Sequence, residues 1–297
     1  MMSVYTLTAS DGRTQADIHP ELGALCSSFR VPYSNAPHGL LDLLYRPENF
    51  EALAPSKICG GLPFHFPACG RTAQGFYQAK GQRYPMPIHG FSAQENWQVV
   101  SLSQHQILLK LTDTSATHPY FPFQFELRLG YEVHPHQLKI FITIVNHDSQ
   151  VMPFSMGFHP YFSVPLSEKP NTHICFQALR SIAYTASLSD LAGDRPLQSP
   201  MPASLTAEGL NERLSVLGTD THVSLSLPDY CLLLETGGDP SNPFQYLQLY
   251  HDPKEPFFCI EPWAGTPNSL NHPERLLHLE PGKSLSGWLT VACQASA

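Results

Sequence analysis

The sequence predicts an all-β protein built from antiparallel strands. Residues 123–129 alternate strictly between apolar and polar side chains, and residues 138–144 continue this style after a break at His134-Pro135. Such alternation is typical of strands with one buried face. Proline accounts for 28 of the 297 residues, roughly twice the usual share of about 5%. Frequent proline interrupts helices and suits short strands joined by rigid turns.

Further strands follow from the same pattern. Turn signals such as Gly237-Gly238-Asp239-Pro240 and Pro281-Gly282 separate them. The predicted strands cover residues 97–102, 107–111, 223–227, 231–235, 246–250, 257–261, 275–279 and 288–292.

Helical periodicity is scarce and predicts no more than a turn or two at residues 48–53 and 210–217. Residues 181–207, rich in Ser, Pro, Ala and Asp, resemble a linker. Strands on both sides continue the same pattern, so we interpret this segment as a long surface excursion. We therefore expect a single domain over residues 1–297.

Composition excludes several classes of partner. The formal net charge is −8, with 17 Lys and Arg and no basic run, which argues against nucleic acid and anionic membrane surfaces. The longest apolar stretches, such as residues 138–145, are far shorter than the ~20 residues of a membrane helix. No basic segment followed by an apolar one opens the chain, so we expect a cytoplasmic protein. Nothing in the sequence specifies an oligomeric state.

The seven cysteines predict neither disulfides nor a thiolate zinc site. Their number is odd and no pair has C-x-x-C spacing. We expect reduced, mostly buried thiols. The pairs His134-x-His136 and His147-Asp148 lack a metal-ligand spacing, so no metal site is predicted.

Three short segments have the same arrangement, an acid/base side chain beside an aromatic ring on backbone that proline or glycine restricts. A pocket for a polar, ring-shaped ligand needs this combination. The segments are Ile88-His89-Gly90-Phe91, Gly157-Phe158-His159-Pro160-Tyr161-Phe162 and Cys259-Ile260-Glu261-Pro262-Trp263.

Each acid/base group has a structural alternative. His159 precedes a proline, which extends its backbone, but taken alone it fits a histidine packed beside aromatics better than a functional one. Glu261 ends an apolar run, where partial desolvation raises a carboxyl pKa and favours proton acceptance near neutral pH. A strand-end glutamate reaching into water explains it equally well.

Two further residues are candidates for ligand binding. His89 precedes Gly90, which allows close backbone approach to a ligand. Arg71 follows an almost uncharged stretch, and its fork of donors suits vicinal hydroxyls. The alternatives are a turn histidine and an arginine paired with a carboxylate.

In this order, preceded by Gly60-Gly61-Leu62-Pro63 and Gly70-Arg71, the three segments resemble the aldose 1-epimerase (galactose mutarotase-like) superfamily, most closely its branch with a His-Pro-Tyr-Phe motif. The resemblance implies an antiparallel β-supersandwich that interconverts the α and β anomers of an aldose without a metal or organic cofactor. It implies that Glu261 is the general base at the anomeric hydroxyl and His159 the general acid at the ring oxygen. His89 and Arg71 would bind sugar hydroxyls or help to place the ring oxygen.

The chain departs from the best-studied mutarotases at two places. They carry Asn-His before the Tyr-Phe pair, where this chain has Phe158-His159-Pro160. The family also commonly has an aspartate that fixes sugar hydroxyls, and Asn211 is the expected replacement.

Two alternative functions remain open. A hexose-6-phosphate mutarotase would need extra cations at the pocket rim, for which Arg71, Arg83 and Arg30 are the candidates. A non-catalytic carbohydrate-binding module would use the same fold without the acid/base chemistry.

Overall fold

Antiparallel strands dominate the computed structural model, which describes residues 3–50, 59–196 and 201–295. Within these residues helical structure is confined to short 3-10 turns at Pro20–Leu22, Pro37–Gly39, Ala73–Gly75, Ser92–Gln94, Lys169–Asn171, Ser269–Asn271 and Pro273–Arg275. The strands in chain order are β1 (Tyr5–Thr8), β2 (Gln15–His19), β3 (Leu25–Pro32), β4 (Leu40–Asp42), β5 (Phe64–His65), β6 (Phe76–Ala79), β7 (Gln82–Pro85), β8 (Gln98–Leu102), β9 (Gln106–Thr112), β10 (Phe125–His134), β11 (Gln137–Asn146), β12 (Met152–Phe154), β13 (Gly157–Phe158), β14 (Tyr161–Ser163), β15 (His173–Phe176), β16 (Arg180–Tyr184), β17 (Leu191–Arg195), β18 (Ala203–Ser204), β19 (Arg213–Val216), β20 (Val223–Ser226), β21 (Tyr230–Asp239), β22 (Tyr246–Tyr250), β23 (Phe257–Trp263), β24 (Leu277–Leu279) and β25 (Ser284–Ala295).

Two large sheets organise the described residues. The first has nine strands in the order β18-β15-β20-β21-β25-β11-β10-β9-β8. The second has eight, in the order β17-β16-β19-β22-β23-β13-β5, with β14 also pairing with β23. Neighbouring strands within both sheets are antiparallel, so the predicted all-β, antiparallel class is confirmed.

The hydrophobic core lies between these two sheets. Leu234 and Leu289 of the first sheet line the same small apolar void as Leu247 and Ile260 of the second. All four are buried and belong to one continuous apolar cluster. The two inner faces therefore pack against each other as in a sandwich.

Strand β23 separates core packing from the candidate site. Because successive side chains of a strand point to opposite faces, Phe258 and Ile260 lie in the main core. Cys259, Glu261 and Trp263 lie on the other face, outside that core. The chemistry-bearing side chains of this strand consequently share one surface of the sheet.

Most predicted strands are present, some with different limits. Strand β22 has the predicted bounds, whereas β10 begins two residues later than predicted and continues to His134. The helical turn predicted for residues 210–217 is wrong, because residues Arg213–Val216 form β19 between β16 and β22. Cross-strand pairing on both sides outweighs the helix-like spacing of its leucines. The turn predicted at residues 48–53 extends into residues 51–58, outside the described part of the chain.

The segment 181–207 is not the surface excursion that we expected. Strands β16 and β17 form one edge of the eight-stranded sheet, and β18 forms an edge of the nine-stranded sheet. Edge strands are short and partly solvated, which explains the polar composition that suggested a loop.

Within the described residues no helix is long and apolar enough to cross a membrane. The seven cysteines are free, and four of them, Cys26, Cys69, Cys259 and Cys293, are buried.

Candidate active site

All four residues singled out in the sequence line one cavity of about 440 Å³. Glu261, His159, His89 and Arg71 come from four separate segments, and the sheet pairings bring them together. The cavity opens on the face of the eight-stranded sheet that points away from the core.

The backbone around β23 sets Glu261 and His159 side by side. His159 lies between β13 and β14, and both of those strands pair with β23. Its amide donates to the carbonyl of Pro63 at 3.0 Å. The resulting distance from His159 Nε2 to Glu261 Oε2 is 3.2 Å. Oε2 is buried and accepts no hydrogen bond of regular geometry from any described residue.

Burial controls the charge of this pair. Glu261 is 1% exposed, and burial raises its pKa well above the usual value, with repulsion from Glu212 adding to the effect. The nearby indole N–H of Trp263 lowers the pKa of Glu261. That N–H makes no regular hydrogen bond to a described residue. Burial, and then His89, hold the pKa of His159 well below its usual value. Burial therefore favours an uncharged pair with one proton on Glu261.

His89 lies in a turn with left-handed backbone, and its ring is neutral with one N–H available to donate a hydrogen bond. Its φ is 65° and that of Gly90 is 75°. A Cβ on Gly90 would lie 2.2 Å from the carbonyl oxygen of Phe66, so only glycine fits there. His89 Nδ1 accepts a hydrogen bond from the Gly70 amide at 3.1 Å, which leaves the ring proton on Nε2. Burial, and then the Arg71 charge, lower the pKa of His89 to about 4.

A third histidine, His65, completes a cluster that the sequence did not reveal. It lies on β5, whose partner is β13, and lines the cavity while only 4% exposed. Its ring centroid is 4.0 Å from that of His89 and 5.3 Å from that of His159. Burial, and then these two histidines, lower its pKa well below the usual value. The one sequence signal for His65 was its position in the almost uncharged stretch before Arg71.

Arg71 presents its guanidinium to the cavity rim. The side chain is exposed, and among the described residues it makes no hydrogen bond or ion pair. Its backbone is held, since the Arg71 carbonyl accepts from the Asn268 amide at 2.8 Å. The donors of this fork are therefore available to a ligand.

The carboxylate opposite Arg71 belongs to Glu212, and not to its neighbour Asn211, which the sequence had singled out. Asn211 accepts from the His251 amide at 3.0 Å and does not line the cavity. Glu212 does line it, on left-handed backbone with φ 49°. Burial raises the pKa of Glu212, and the Arg71 charge opposes that rise. The segment singled out in the sequence thus reaches the cavity through Glu212.

A hydrogen-bonded chain fixes Glu212 in the cavity wall. The hydroxyl of Tyr184 donates to Gln248 Oε1 at 2.6 Å, and Gln248 Nε2 donates to Glu212 Oε2 at 3.1 Å. Gln248 is 2% exposed. Because a buried amide needs its partners, the three side chains are held in one arrangement.

Asp190 holds the turn after β16 against a distant segment. Its carboxylate accepts from Asn268 Nδ2 at 2.9 Å and from Arg275 Nη1 at 3.0 Å, and His272 Nε2 lies 3.2 Å away. Leu188, in the same turn, lines the cavity. The segment first interpreted as a surface excursion thus contributes a wall of the site.

Aromatic rings form the remaining surfaces. Trp263, Tyr161 and Tyr250 line the cavity, and the Tyr161 ring stacks on His159 with centroids 4.5 Å apart. Phe91 does not take part, because it is buried in the main core against Phe66.

Comparison with known proteins agrees with this architecture. The fold of a structure of protein Slr1438 from Synechocystis sp. PCC 6803 superposes with a TM-score of 0.85 at 26% identity, covering 100% of this chain and 97% of that one. A galactose mutarotase related enzyme from Lactobacillus acidophilus gives a TM-score of 0.77 at 21% identity, covering 98% and 97%. These likenesses confirm the predicted galactose mutarotase-like supersandwich.

Sequence comparison leads to the same group. The uncharacterised protein YphB of Escherichia coli K12 is 25% identical over 98% of both chains. The sequence profile of the aldose 1-epimerase family matches residues 3–292. The chain therefore belongs to the aldose 1-epimerase family.

Proposed function

We propose that this protein is an aldose 1-epimerase that interconverts the α and β anomers of a free aldose. The observation that carries the proposal is the contact between His159 and Glu261, 3.2 Å apart on the wall of a cavity large enough for a monosaccharide. General acid/base chemistry needs such a pair within reach of one reacting centre.

The chemistry requires one proton acceptor and one proton donor. Glu261 removes the proton from the anomeric hydroxyl while His159 delivers a proton to the ring oxygen, and the C1–O bond of the ring breaks. Rotation about C1–C2 and closure, with both transfers reversed, give the other anomer. The anomeric hydroxyl oxygen and the ring oxygen are both bonded to C1. An acid and a base that are nearly in contact can therefore reach both oxygens at once.

The proton count of the buried pair fits this scheme. His159 and Glu261 share one proton, so whichever of them holds it is the proton donor and the other is the proton acceptor. Each turnover takes up one proton and releases one, so the pair ends with one proton again. That proton is favoured on Glu261, because burial penalises both charges. A sugar hydroxyl bonded to the carboxylate stabilises its charged form and so favours transfer of the proton to His159.

Substrate hydroxyls have donors and acceptors around the pair. Arg71 and the Nε2–H of His89 offer donors, and the Glu212 carboxylate offers acceptors. Trp263 and Tyr161 supply apolar faces for the C–H surface of the ring.

Charges on the wall favour a free sugar over a sugar phosphate. Among the described lining residues Arg71 is the one Lys or Arg, and it faces Glu212. The other arginines that the sequence offered for phosphate are engaged elsewhere. Arg83 lies over the Phe76 ring, 4.0 Å from its centroid, and Arg30 is paired with Asp17.

NMR exchange spectroscopy on free and phosphorylated aldoses tests the proposal. Wild-type protein should accelerate anomer exchange of at least one free aldose, and Glu261→Gln should lower the catalysed rate by ~10²–10⁴-fold while the sugar still binds. Tight sugar binding without acceleration by the wild type would overturn the enzymatic proposal in favour of a binding module. Acceleration confined to sugar phosphates would overturn the choice of substrate.

A further inference from the structure

Cys259 brings a third metal-binding group to the acid/base pair. It lies two residues before Glu261 on β23 and therefore on the same face. Its Sγ, one ring nitrogen of His159 and one carboxylate oxygen of Glu261 all lie within 4.8 Å of one another, and all three residues are buried. Contiguous motif spacing could not reveal this set, because His159 joins it through strand pairing.

The chemistry of these donors matches a borderline divalent cation. Zn²⁺ prefers imidazole nitrogen, thiolate sulfur and carboxylate oxygen, with bonds of ~2.0–2.3 Å and an open fourth position at non-structural sites. Such bonds at a tetrahedral ion place donors about 3.2–3.8 Å apart. The His159–Glu261 distance of 3.2 Å already meets this, and the sulfur needs to move by no more than about 1 Å.

The poorly satisfied carboxylate of Glu261 gives a second reason. Glu261 Oε2 is buried and accepts no regular hydrogen bond from the described residues. His159 Nε2 lies 3.2 Å away without the geometry of a hydrogen bond, and a buried carboxylate oxygen satisfied so poorly is costly. A proton relieves this cost, and so does a cation held between the carboxylate, the thiolate and the imidazole.

We propose that His159, Cys259 and Glu261 bind one Zn²⁺ or Co²⁺ ion, and that this ion excludes the sugar from the cavity. The binding half of the proposal stands independently of the proposed enzymatic function, whereas the inhibition half rests on it. The proposed acid/base mechanism uses no metal, so chelator-treated protein should be the active form.

Proton balance sets the pH dependence of this binding. The ion takes a thiolate, a carboxylate and a neutral imidazole, so the thiol proton and the proton shared by the pair pass to solvent. Metal affinity should therefore increase as pH rises.

Cobalt spectroscopy tests the binding directly. Chelator-treated wild type should take up one equivalent of Co²⁺ and show a near-ultraviolet thiolate-to-cobalt charge-transfer band. Cys259→Ser and Cys259→Ala should lose that band and weaken Zn²⁺ binding by at least ~100-fold, since losing even an outer-shell partner costs ~10–100-fold. Cys59→Ser is the matched control, because Cys59 is an exposed thiol that lines the cavity and lies outside the proposed ligand set, and it should keep the band.

Inhibition is measured on the same proteins. Zn²⁺ should lower anomer exchange competitively with the sugar, and Cys259→Ala should remain at its own zinc-free rate at concentrations that inhibit wild type. A wild type that gives no cobalt–thiolate band would overturn the site whatever the variants do. Cobalt binding without loss of sugar affinity would overturn the exclusion. Proteins that bind cobalt but never accelerate exchange would contradict the proposed function and leave the metal site standing.

Discussion

Gln248 and Glu261 lie directly opposite each other on β22 and β23, and the Gln248 amide donates to Glu212 at 3.1 Å. The neutral side chain of Gln248 thus holds the Glu212 carboxylate at a fixed position near the Glu261 carboxylate. Burial, and then the Glu212 charge, raise the pKa of Glu261, so a ligand that contacts Glu212 would also alter the proton affinity of Glu261.

Glu212→Gln should affect both KM and the pH profile. Loss of a carboxylate that accepts sugar hydroxyls removes a charged hydrogen bond, worth ~1.5–3 kcal/mol, so KM should increase by ~10–100-fold. Removal of its charge should also lower the pKa of Glu261 and move the alkaline limb of the rate profile to lower pH. Asn211→Ala is the adjacent control outside the cavity, and a larger KM change there than at Glu212 would contradict the assignment.

His159→Asn should depress catalysed exchange by ~10²–10⁴-fold, because the ring oxygen loses its proton donor. The double variant with Glu261→Gln should lose much less than the product of the two single effects, since both groups serve one step. Sugar affinity, measured by calorimetry, should change little, because Arg71, His89 and Glu212 remain. Multiplicative losses in the double variant would show that the two residues act in separate steps.

Activity should follow a bell-shaped pH profile with a wide plateau. The pair works with one proton, so activity is lost at low pH when His159 takes a second proton and at high pH when the last proton leaves. The pKa of His159 is lowered and that of Glu261 is raised. The acid limb should therefore lie below the free-histidine value of about 6.5 and the alkaline limb well above the free-glutamate value of about 4.3. Rates of exchange across pH test this, and an acid limb above 6.5 would contradict it.

Gly90→Ala should destabilise the protein more than Gly75→Ala. Both glycines have left-handed backbone, with φ of 75° and 73°, which costs an alanine ~1–2 kcal/mol. A Cβ at Gly90 also meets the Phe66 carbonyl at 2.2 Å, whereas nothing lies within 4 Å at Gly75. Overpacking of this kind adds ~1–3 kcal/mol. Urea denaturation measures the difference, and equal losses would show that the backbone at Gly90 adapts.

Sequence patterns predicted the strands whose two faces differ. Strand β11 has one buried side chain at every second position, so its alternation was visible. Strand β3 was missed because its first five residues are all buried, including Ser27 and Ser28. A strand covered on both faces does not alternate. The leucine spacing at residues 210–217 wrongly predicted a helical turn for a related reason. Strand β19 is almost entirely buried, so its side chains do not alternate either.

The sequence predicted the cavity residues that lie in motifs with a restricted backbone. It did not predict the residues that only the fold brings to the cavity. His89, His159 and Glu261 each lie next to glycine or proline in sequence, and these segments drew attention before any pairing was known. His65 comes from a two-residue strand, so only the fold brings it to the cluster. Glu212 lines the cavity on left-handed backbone and Asn211 does not line it, a difference that the residue types do not specify.

The alternation of β23 divides that strand into two sets of positions under different constraints. Substitutions at 258 and 260 change the packed core, whereas those at 259, 261 and 263 change the cavity side. A new substrate preference can therefore evolve on one set while the other keeps the fold intact. A single-residue deletion that shifts the register of β23 allows no such separation, because it would turn the Glu261 carboxylate into the apolar core and a core side chain toward the cavity.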